Sequence, residues 1–153
     1  MDVADLQAKS EYCLDQLETW GRSSDVIDAG HVLTIASHGA AVKAGWWIDT
    51  ESGQDVRNWD KKFFILWVAT KLALCHSELS EGLEGHRKSL MDDHLPHRKM
   101  LEVELADTVI RVFDLAGGLG FDLGAAIAEK LAFNAKRPDH KIDRRVAEGG
   151  KAY

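Results

Sequence analysis

The chain has 153 residues, of which 45% are hydrophobic and 29% charged, and its formal net charge at pH 7 is -6. This length and this balance of apolar and charged residues are typical of one folded domain with a buried core, and they exclude a wholly disordered chain. The negative charge argues against non-specific binding to nucleic acid, which needs a dense basic surface. We therefore expect one helical domain over residues 1–138, a mobile tail over residues 139–153, and no nucleic-acid partner.

Two further features concern the environment of the protein. No apolar run predicts a membrane span, and no basic signal segment follows Met1, so we expect a cytoplasmic protein without a membrane partner. Cys13 and Cys75 are far apart in the sequence. This spacing favours reduced, buried thiols over a zinc site or a disulfide.

Hydrophobic periodicity predicts helices throughout the chain and no strand. The first predicted helix covers residues 2–17, and the second runs from about residue 24 to residue 43, where Gly45 stops it. A polar loop follows over residues 46–58.

The third predicted helix, residues 58–87, is the longest and is apolar on two sides. One predicted face contains Ile65, Val68, Ala69, Leu72, Leu79 and Leu83, and the other contains Phe63, Trp67 and Leu74. A helix that is apolar on both sides must be covered on both sides, and in so short a chain the expected cover is a second subunit. The sequence therefore predicts a homodimer or homotetramer.

The fourth predicted helix has its start signals at Asp92, Asp93 and Pro96 and ends at Gly117 and Gly118. The fifth begins with Asp122 as its cap and is closed by the segment from Lys136 to Pro138. The predicted core seam of the fourth helix consists of Leu101, Leu105, Val109, Val112 and Ala116, with Glu104, Asp107, Arg111 and Asp114 along its flank. These elements predict an all-α fold, an antiparallel bundle of four to five helices assembled as a dimer or tetramer.

Two pairs of acidic residues stand out on the third and fourth predicted helices. They are Glu78 with Glu81, and Glu104 with Asp107. Residues three apart project from one face of a helix, so each pair can converge on one cation, and two packed helices can bring the pairs together. Four carboxylates so close repel one another unless a cation neutralises them. Oxygen ligands without a thiolate predict Mg²⁺, with Mn²⁺ as a possible substitute.

One acidic pair of this spacing is weak support, because such pairs usually lie on a solvated helix face. Both pairs here lie on the most strongly apolar helices, beside the core seam, and one helical hairpin separates them. These two facts favour a site over a solvated face.

A second group of candidate residues would bind a substrate. Lys130, Asn134 and Arg137 form one stripe of the fifth predicted helix, and an ammonium, an amide and a guanidinium there suit a polyphosphate. The alternative is a helix end enriched in cations. Trp46 and Trp47 could stack on a base, or could be core or interface residues.

The segments that contain these residues resemble a known family. Glu78-Leu-Ser-Glu81, then Glu104-Leu-Ala-Asp107, then the segment from Lys130 to Arg137 occur in the order typical of the MazG-like all-α nucleoside triphosphate pyrophosphohydrolases. That superfamily is marked by ExxE, a spacer, ExxD and a downstream Lys-x-x-x-Asn-x-x-Arg, and the similarity covers about residues 44–138. The resemblance implies Mg²⁺-dependent cleavage between the α and β phosphates of a (d)NTP, which yields a (d)NMP and pyrophosphate in nucleotide-pool control.

With this resemblance, Glu78, Glu81, Glu104 and Asp107 are the expected metal ligands, and Glu78 or Glu81 is the expected general base. Glu84 is either a further ligand or a surface acid. The same superfamily includes dUTP pyrophosphatases and phosphoribosyl-ATP pyrophosphohydrolases, which the sequence does not separate. The alternative from another class is a non-catalytic helical interaction protein.

Overall fold

The computed structural model describes residues 23–137 of the chain. Within these residues the structure has one 3-10 turn, no strand, and four α-helices: α1 (Ser23–Lys43), α2 (Lys61–Lys88), α3 (Met100–Gly118) and α4 (Leu123–Ala135). They correspond to the second to fifth predicted helices, so the all-α prediction is confirmed for the described part of the chain. The first predicted helix and the predicted tail lie outside the described residues.

The chain divides into two compact units. We call residues 32–122 the central unit; it contains most of α1 and all of α2 and α3. The described residues 23–31 and 123–137 belong to the other unit, the terminal unit, which contains the start of α1 and all of α4. The acidic pairs therefore belong to the central unit, and the Lys130 stripe belongs to the terminal unit.

Local chemistry explains where the helices begin and end. The side chain of Asp60 accepts a hydrogen bond from the backbone N–H of Lys62 and caps the start of α2. Ser89, in the left-handed region with φ 54°, ends the same helix, and its N–H bonds the carbonyls of Gly85 and His86. α3 continues through the glycine pair that was predicted to stop it, and the chain turns at Gly120, with φ 69°.

The two long helices of the central unit form an antiparallel hairpin with a close approach at its turn. A Cβ on Gly85 would lie 2.8 Å from Met100 Cβ, and one on Gly82 would lie 3.2 Å from Glu104 Cβ. These two glycines of α2 therefore let α3 pack close to the helix backbone. In this register Glu78 lies opposite the acidic pair of α3.

The buried apolar core of the central unit is small. It consists of Trp47, Val56 and Leu115, against which Ala41, Trp59, Phe64, Trp67, Val68 and Leu119 pack. The backbone N–H of Val56 donates to the carbonyl of Trp47 at 3.0 Å. The predicted loop over residues 46–58 is therefore anchored in the core at both of these residues.

The predicted assignment of the two faces of α3 was right for Ala116, which is buried, but wrong for several other positions. Leu105, Val109 and Val112 of the predicted core seam are exposed, whereas Glu104 and Asp114 of the predicted flank are buried. The physical reason is that partners on α2 and α1 neutralise or hydrogen-bond the charged stripe, so a polar face can pack inside the hairpin. The apolar seam is left on the outside of the described chain.

The outer surface of α2 is also apolar. Ile65, Leu72, Leu79 and Leu83 are each about half exposed, and so is Phe63 on the opposite face. Contiguous apolar surface of this kind is typical of a protein interface. It supports the predicted homodimer or homotetramer, which stays a prediction.

By length and composition alone α2 could also cross a membrane, a possibility that the sequence analysis did not predict. One such helix is weak support for a membrane protein, because core helices of soluble proteins have the same length and composition. In addition, Lys71 and Glu78 of α2 both form ion pairs with α3. Cytoplasmic localisation stays a prediction.

We expect Gly118→Ala to lower the free energy of unfolding by about 1–3 kcal/mol, the usual range for overpacking. A Cβ at this position would overlap the six-membered ring of Trp47, which is fully buried. Gly39→Ala on α1 is the matched control, because a Cβ there meets no atom within 4 Å. This control should raise the free energy of unfolding by up to about 1 kcal/mol through helix propensity. Urea titrations of both variants measure the two effects, and equal stability of the two would contradict the predicted packing.

Candidate metal centre and adjoining cavity

Three of the four predicted metal ligands come together in the central unit. One carboxylate oxygen from each of Glu78, Glu104 and Asp107 lies within 4.8 Å of the other two. Glu78 and Glu104 are only 6% and 7% exposed. We call these three residues the acid cluster. Their approach follows from the antiparallel register of α2 and α3 and from the close contact at Gly82.

The acid cluster has more negative charge than its surroundings neutralise. Burial, which is the largest cause, acts together with a hydrogen bond to Glu78 and the negative charges of Glu81, Glu78 and Asp107 to raise the pKa of Glu104 from 4.5 to about 7. Arg111 partly offsets this charge, because its Nε lies 2.7 Å from Glu78 Oε1. Even with this arginine nearby, Glu104 tends to keep its proton near neutral pH.

The donor set of the acid cluster fits a hard divalent cation. All three donors are carboxylate oxygens, which Mg²⁺ and Mn²⁺ prefer. The three oxygens lie within 4.8 Å of one another, close enough for one cation to be held among them once the side chains adjust. Such an ion would also relieve the repulsion that raises the pKa of Glu104.

The fourth predicted ligand, Glu81, is not one of the three residues of the acid cluster. It is exposed, although its charge contributes to the raised pKa of Glu104 and it must therefore lie nearby. Glu84 is half-buried and forms ion pairs with Lys88 and Arg87 of α2. These pairs favour the interpretation of Glu84 as a surface acid.

A cavity of about 520 Å³ adjoins the acid cluster. Asp107 lines this cavity and also belongs to the acid cluster. The cavity is also lined by Trp46, Trp67, Lys71, Arg111 and Asp114, and much of the remaining wall is the alanine-rich end of α1. The cavity therefore combines aromatic rings with charged groups beside a candidate cation site.

Asp114 is the centre of a buried polar network at the wall of this cavity. Its Oδ1 accepts a hydrogen bond from Trp47 Nε1 at 2.7 Å and lies 3.0 Å from His38 Nδ1, and its Oδ2 accepts one from Lys71 Nζ at 2.8 Å. Burial tends to raise the pKa of Asp114, but the hydrogen bonds from Lys71, His38 and Trp47 outweigh it and lower the pKa below its usual value. Asp114 therefore stays ionised inside the fold.

Sequence reasoning did not single out His38 or Lys71. A signal for Lys71 was available, because it is the only charged residue between Phe63 and Cys75, in a largely apolar stretch of α2. A lysine that is 13% exposed needs a paired acid, and that acid is 43 positions away on α3. No local spacing predicts this pairing.

The two adjacent tryptophans have different places. Trp47 is 1% exposed, and its ring packs edge-on against His38, so no face of it is accessible to a base in this arrangement. Trp46 is 67% exposed and lines the cavity. Trp67, which was predicted only as an apolar residue of α2, lines the cavity as well, and its buried Nε1 has no hydrogen-bond partner among residues 23–137.

The predicted phosphate-binding stripe lies on α4 and at its end. Lys130 is exposed, with its Nζ 4.8 Å from the centre of the Phe133 ring. Asn134 is half-buried, and its Oδ1 has no hydrogen-bond partner in the described part of the chain. Arg137 is half-buried too. Binding of a substrate by these three residues stays a prediction.

Comparison with known proteins adds no relative to these observations. No protein-family model, no curated protein and no solved structure matches the chain. The resemblance to the MazG-like pyrophosphohydrolases therefore depends on the residues quoted for it and stays a prediction.

Proposed function

We propose that the protein is a Mg²⁺-dependent nucleoside triphosphate pyrophosphohydrolase that cleaves the α–β phosphate bond of a (d)NTP and releases a (d)NMP and pyrophosphate. The observation that carries this proposal is that the acid cluster and the cavity share one residue, Asp107. A ligand with an aromatic group in the cavity would have its adjoining phosphates beside the candidate cation. A nucleotide has this combination of groups.

Glu78, Glu104 and Asp107 are the proposed ligands of the cation, and Glu81 completes the acidic surroundings. A bound Mg²⁺ supplies neutralisation of the phosphate charge and orients the groups that react. The chain provides fixed oxygen donors for this purpose, because packing between α2 and α3 holds two of the three carboxylates in buried positions. Mn²⁺, which has similar ligand preferences, should substitute.

Glu81 is the proposed general base. Glu78 contacts both Arg111 and Glu104, so its oxygens are already engaged. Glu81 is exposed beside the acid cluster and can accept a proton from a water molecule that attacks phosphorus.

The cavity is the proposed site for the nucleoside. Its volume, about 520 Å³, falls in the usual range of small-molecule pockets. Trp46 and Trp67 provide aromatic surface for a base, and the ion pair between Lys71 and Asp114 forms part of the cavity wall. In the complete proposal the enzyme is a cytoplasmic homodimer or homotetramer that acts in nucleotide-pool control, with the exposed apolar seams of α2 and α3 at the subunit contacts.

The test is incubation of the purified protein with Mg²⁺ and a panel of substrates that contains the ribo- and deoxynucleoside triphosphates, dUTP and phosphoribosyl-ATP. We expect nucleoside monophosphate and pyrophosphate as products, identified by ion-exchange chromatography and ³¹P NMR. Turnover of dUTP alone or of phosphoribosyl-ATP alone would assign the protein to one of those specialised activities. Release of single phosphates, or no turnover of any substrate, would refute the proposal and favour a helical interaction protein.

For Glu81→Gln we expect a loss of turnover of about 10²–10⁴-fold, the usual contribution of a general base. The matched control is Glu102→Gln, because Glu102 is an exposed glutamate whose only described ion pair is with Arg98 on the surface. Steady-state rates at saturating Mg²⁺ separate the two variants. Unchanged activity of Glu81→Gln would remove Glu81 from the catalytic role.

A further inference from the structure

We propose that Arg111 is a built-in counter-ion that is displaced from Glu78 when the acid cluster binds a divalent cation, and that it then binds the phosphate groups of the substrate. The inference deepens the proposed function and depends on it. It assigns a role to a residue that the sequence analysis placed only on a helix flank.

Arg111 and Glu78 lie within ion-pair distance, but the contact lacks a well-aligned hydrogen bond. Arg111 Nε lies 2.7 Å from Glu78 Oε1, within ion-pair distance. Nevertheless, this buried nitrogen has no hydrogen bond of acceptable geometry to any of the described residues. A buried guanidinium N–H that lacks an aligned acceptor loses its hydration without full compensation. The pair is therefore held mainly by charge, and an acceptor with better geometry would compete for the arginine.

From its position on α3, Arg111 can reach the phosphate groups of a nucleotide bound in the cavity. Arg111 follows Asp107 by one helical turn of α3, and both residues line the cavity in which we place the nucleotide. The Arg111 side chain is 41% exposed, whereas Glu78 is buried. The arginine can thus change partners without a movement of α3, while the carboxylate stays in the acid cluster.

Charge explains why the exchange depends on the cation. In the protein without a bound cation, the guanidinium of Arg111 is paired with Glu78, and it offsets part of the charge of the acid cluster. A divalent cation on the same carboxylates takes over this neutralisation and repels the arginine. A triphosphate bound to that cation offers oxygens to which a guanidinium can donate two parallel hydrogen bonds.

The competing interpretation is that Arg111 is a brace that holds Glu78 in the orientation needed for the cation. The two interpretations predict opposite effects of removing the arginine. If Arg111 is a brace, its loss weakens cation binding. If it is a displaceable counter-ion, its loss strengthens cation binding, because the cation no longer has a competitor, and weakens phosphate binding.

The experiment compares Arg111→Gln and Arg111→Lys with wild type. The control is Arg98→Gln, which breaks an arginine–glutamate ion pair that is exposed at both partners. Mn²⁺ binding without nucleotide is measured by electron paramagnetic resonance, and binding of inorganic tripolyphosphate in the presence of Mg²⁺ is measured by calorimetry. Neither measurement requires that the preferred base be known, and neither depends on turnover. Thermal melts establish that each variant is folded.

We expect Arg111→Gln to bind Mn²⁺ more tightly than wild type does. Its affinity for tripolyphosphate should be lower than that of wild type by about tenfold or more, the loss expected for a charge-assisted hydrogen bond. Arg111→Lys should restore the competition with Mn²⁺ but only part of the phosphate affinity, because an ammonium cannot form the paired contact. With the substrate that the panel identifies, KM should rise more than kcat falls. Arg98→Gln should match wild type.

Weaker Mn²⁺ binding by Arg111→Gln would establish the brace and overturn the inference. Unchanged tripolyphosphate binding by this variant would also overturn the inference. These outcomes are distinct from failure of the proposed function. If wild type binds Mn²⁺ and tripolyphosphate but hydrolyses no triphosphate, the proposed function fails while the exchange is still decided by the two binding measurements. If wild type binds no Mn²⁺, both proposals are refuted together.

Discussion

Asp114→Asn is expected to lower the free energy of unfolding by about 3–5 kcal/mol, the range for breaking a buried ion pair by removal of one partner. Asp114 accepts contacts from Lys71, Trp47 and His38, and both it and Lys71 have side chains that are almost inaccessible to solvent. The amide of asparagine leaves the ammonium of Lys71 without a counter-charge. The NH₂ group of asparagine, which is a donor, would also replace one carboxylate oxygen and face the donors that this oxygen accepts from.

Chemical denaturation measures this effect, and Asp93→Asn is the control, because Asp93 is exposed in the turn between α2 and α3. A Lys71→Met/Asp114→Asn double variant should lose less stability than the sum of the two single changes, since no uncompensated charge is then buried. A loss of less than about 1 kcal/mol for Asp114→Asn, below the range for buried pairs, would show that the network contributes little.

The same network predicts a pH dependence. The pKa of Asp114 is lowered in the folded state from its ordinary value of 3.8. The stability that this residue contributes is therefore fully present above about pH 3.8 and is lost as pH falls through the lower folded-state pKa. The difference in stability between wild type and Asp114→Asn should accordingly shrink below pH 4. A constant difference down to pH 2 would contradict the lowered pKa.

The helices themselves were readily predictable from the sequence because their signals are local. The predicted second helix and α1 both end at Lys43, ahead of Gly45, whose φ of 82° suits glycine. The third predicted helix and α2 differ by only a few residues at the start and one at the end, because Asp60 rather than Asn58 provides the cap. The apolar period and the chemistry of the caps involve residues within a few positions of each other.

The faces of the helices were harder to predict because they depend on distant partners. Periodicity assigns the apolar seam of α3 to the core of its own chain, yet the hairpin buries the charged stripe instead. Lys71 and Asp114 are 43 positions apart, and His38 and Asp114 are 76 apart. A hydrophobic pattern contains no information about such pairs. It also does not distinguish a seam that packs inside one chain from a seam that another chain covers.

The acidic residues of the candidate site were predictable, but their surroundings were not. Spacing on two apolar helices singled out Glu78, Glu81, Glu104 and Asp107, because residues on one helix face stay together when the helix forms, and the hairpin brings all of these except Glu81 into the acid cluster. The counter-ion Arg111 was named only as a neighbour on the same flank. The cavity, and the burial of Trp47 away from it, arise from the packing of α1 and the following loop against the hairpin. These features are tertiary and have no signal at fixed spacing.

Glu104→Gln should make the protein without a bound cation more stable at pH 8 and should remove its stabilisation by Mg²⁺. The folded-state pKa of Glu104, about 7, is raised above the ordinary value of 4.5. The folded state therefore binds more protons than the unfolded state between these values, and stability decreases as pH rises from about 4.5 to 7. Glutamine mimics the protonated carboxyl group at every pH. The stability of the variant relative to wild type should thus increase from pH 5 to pH 8, as measured by thermal melts in chelator.

The same substitution should reduce Mg²⁺-dependent turnover by about a hundredfold or more, because loss of a residue that only supports a metal ligand already reduces affinity or activity by about 10–100-fold. Greater stability together with lost activity is the decisive combination, since a variant that merely unfolds would lose both. Glu102→Gln, two residues away on the exposed face of α3, should change neither property. If Mg²⁺ raises the melting temperature of Glu104→Gln as much as that of wild type, Glu104 is not a ligand. Repulsion among the buried carboxylates would then have a structural origin unrelated to a cation.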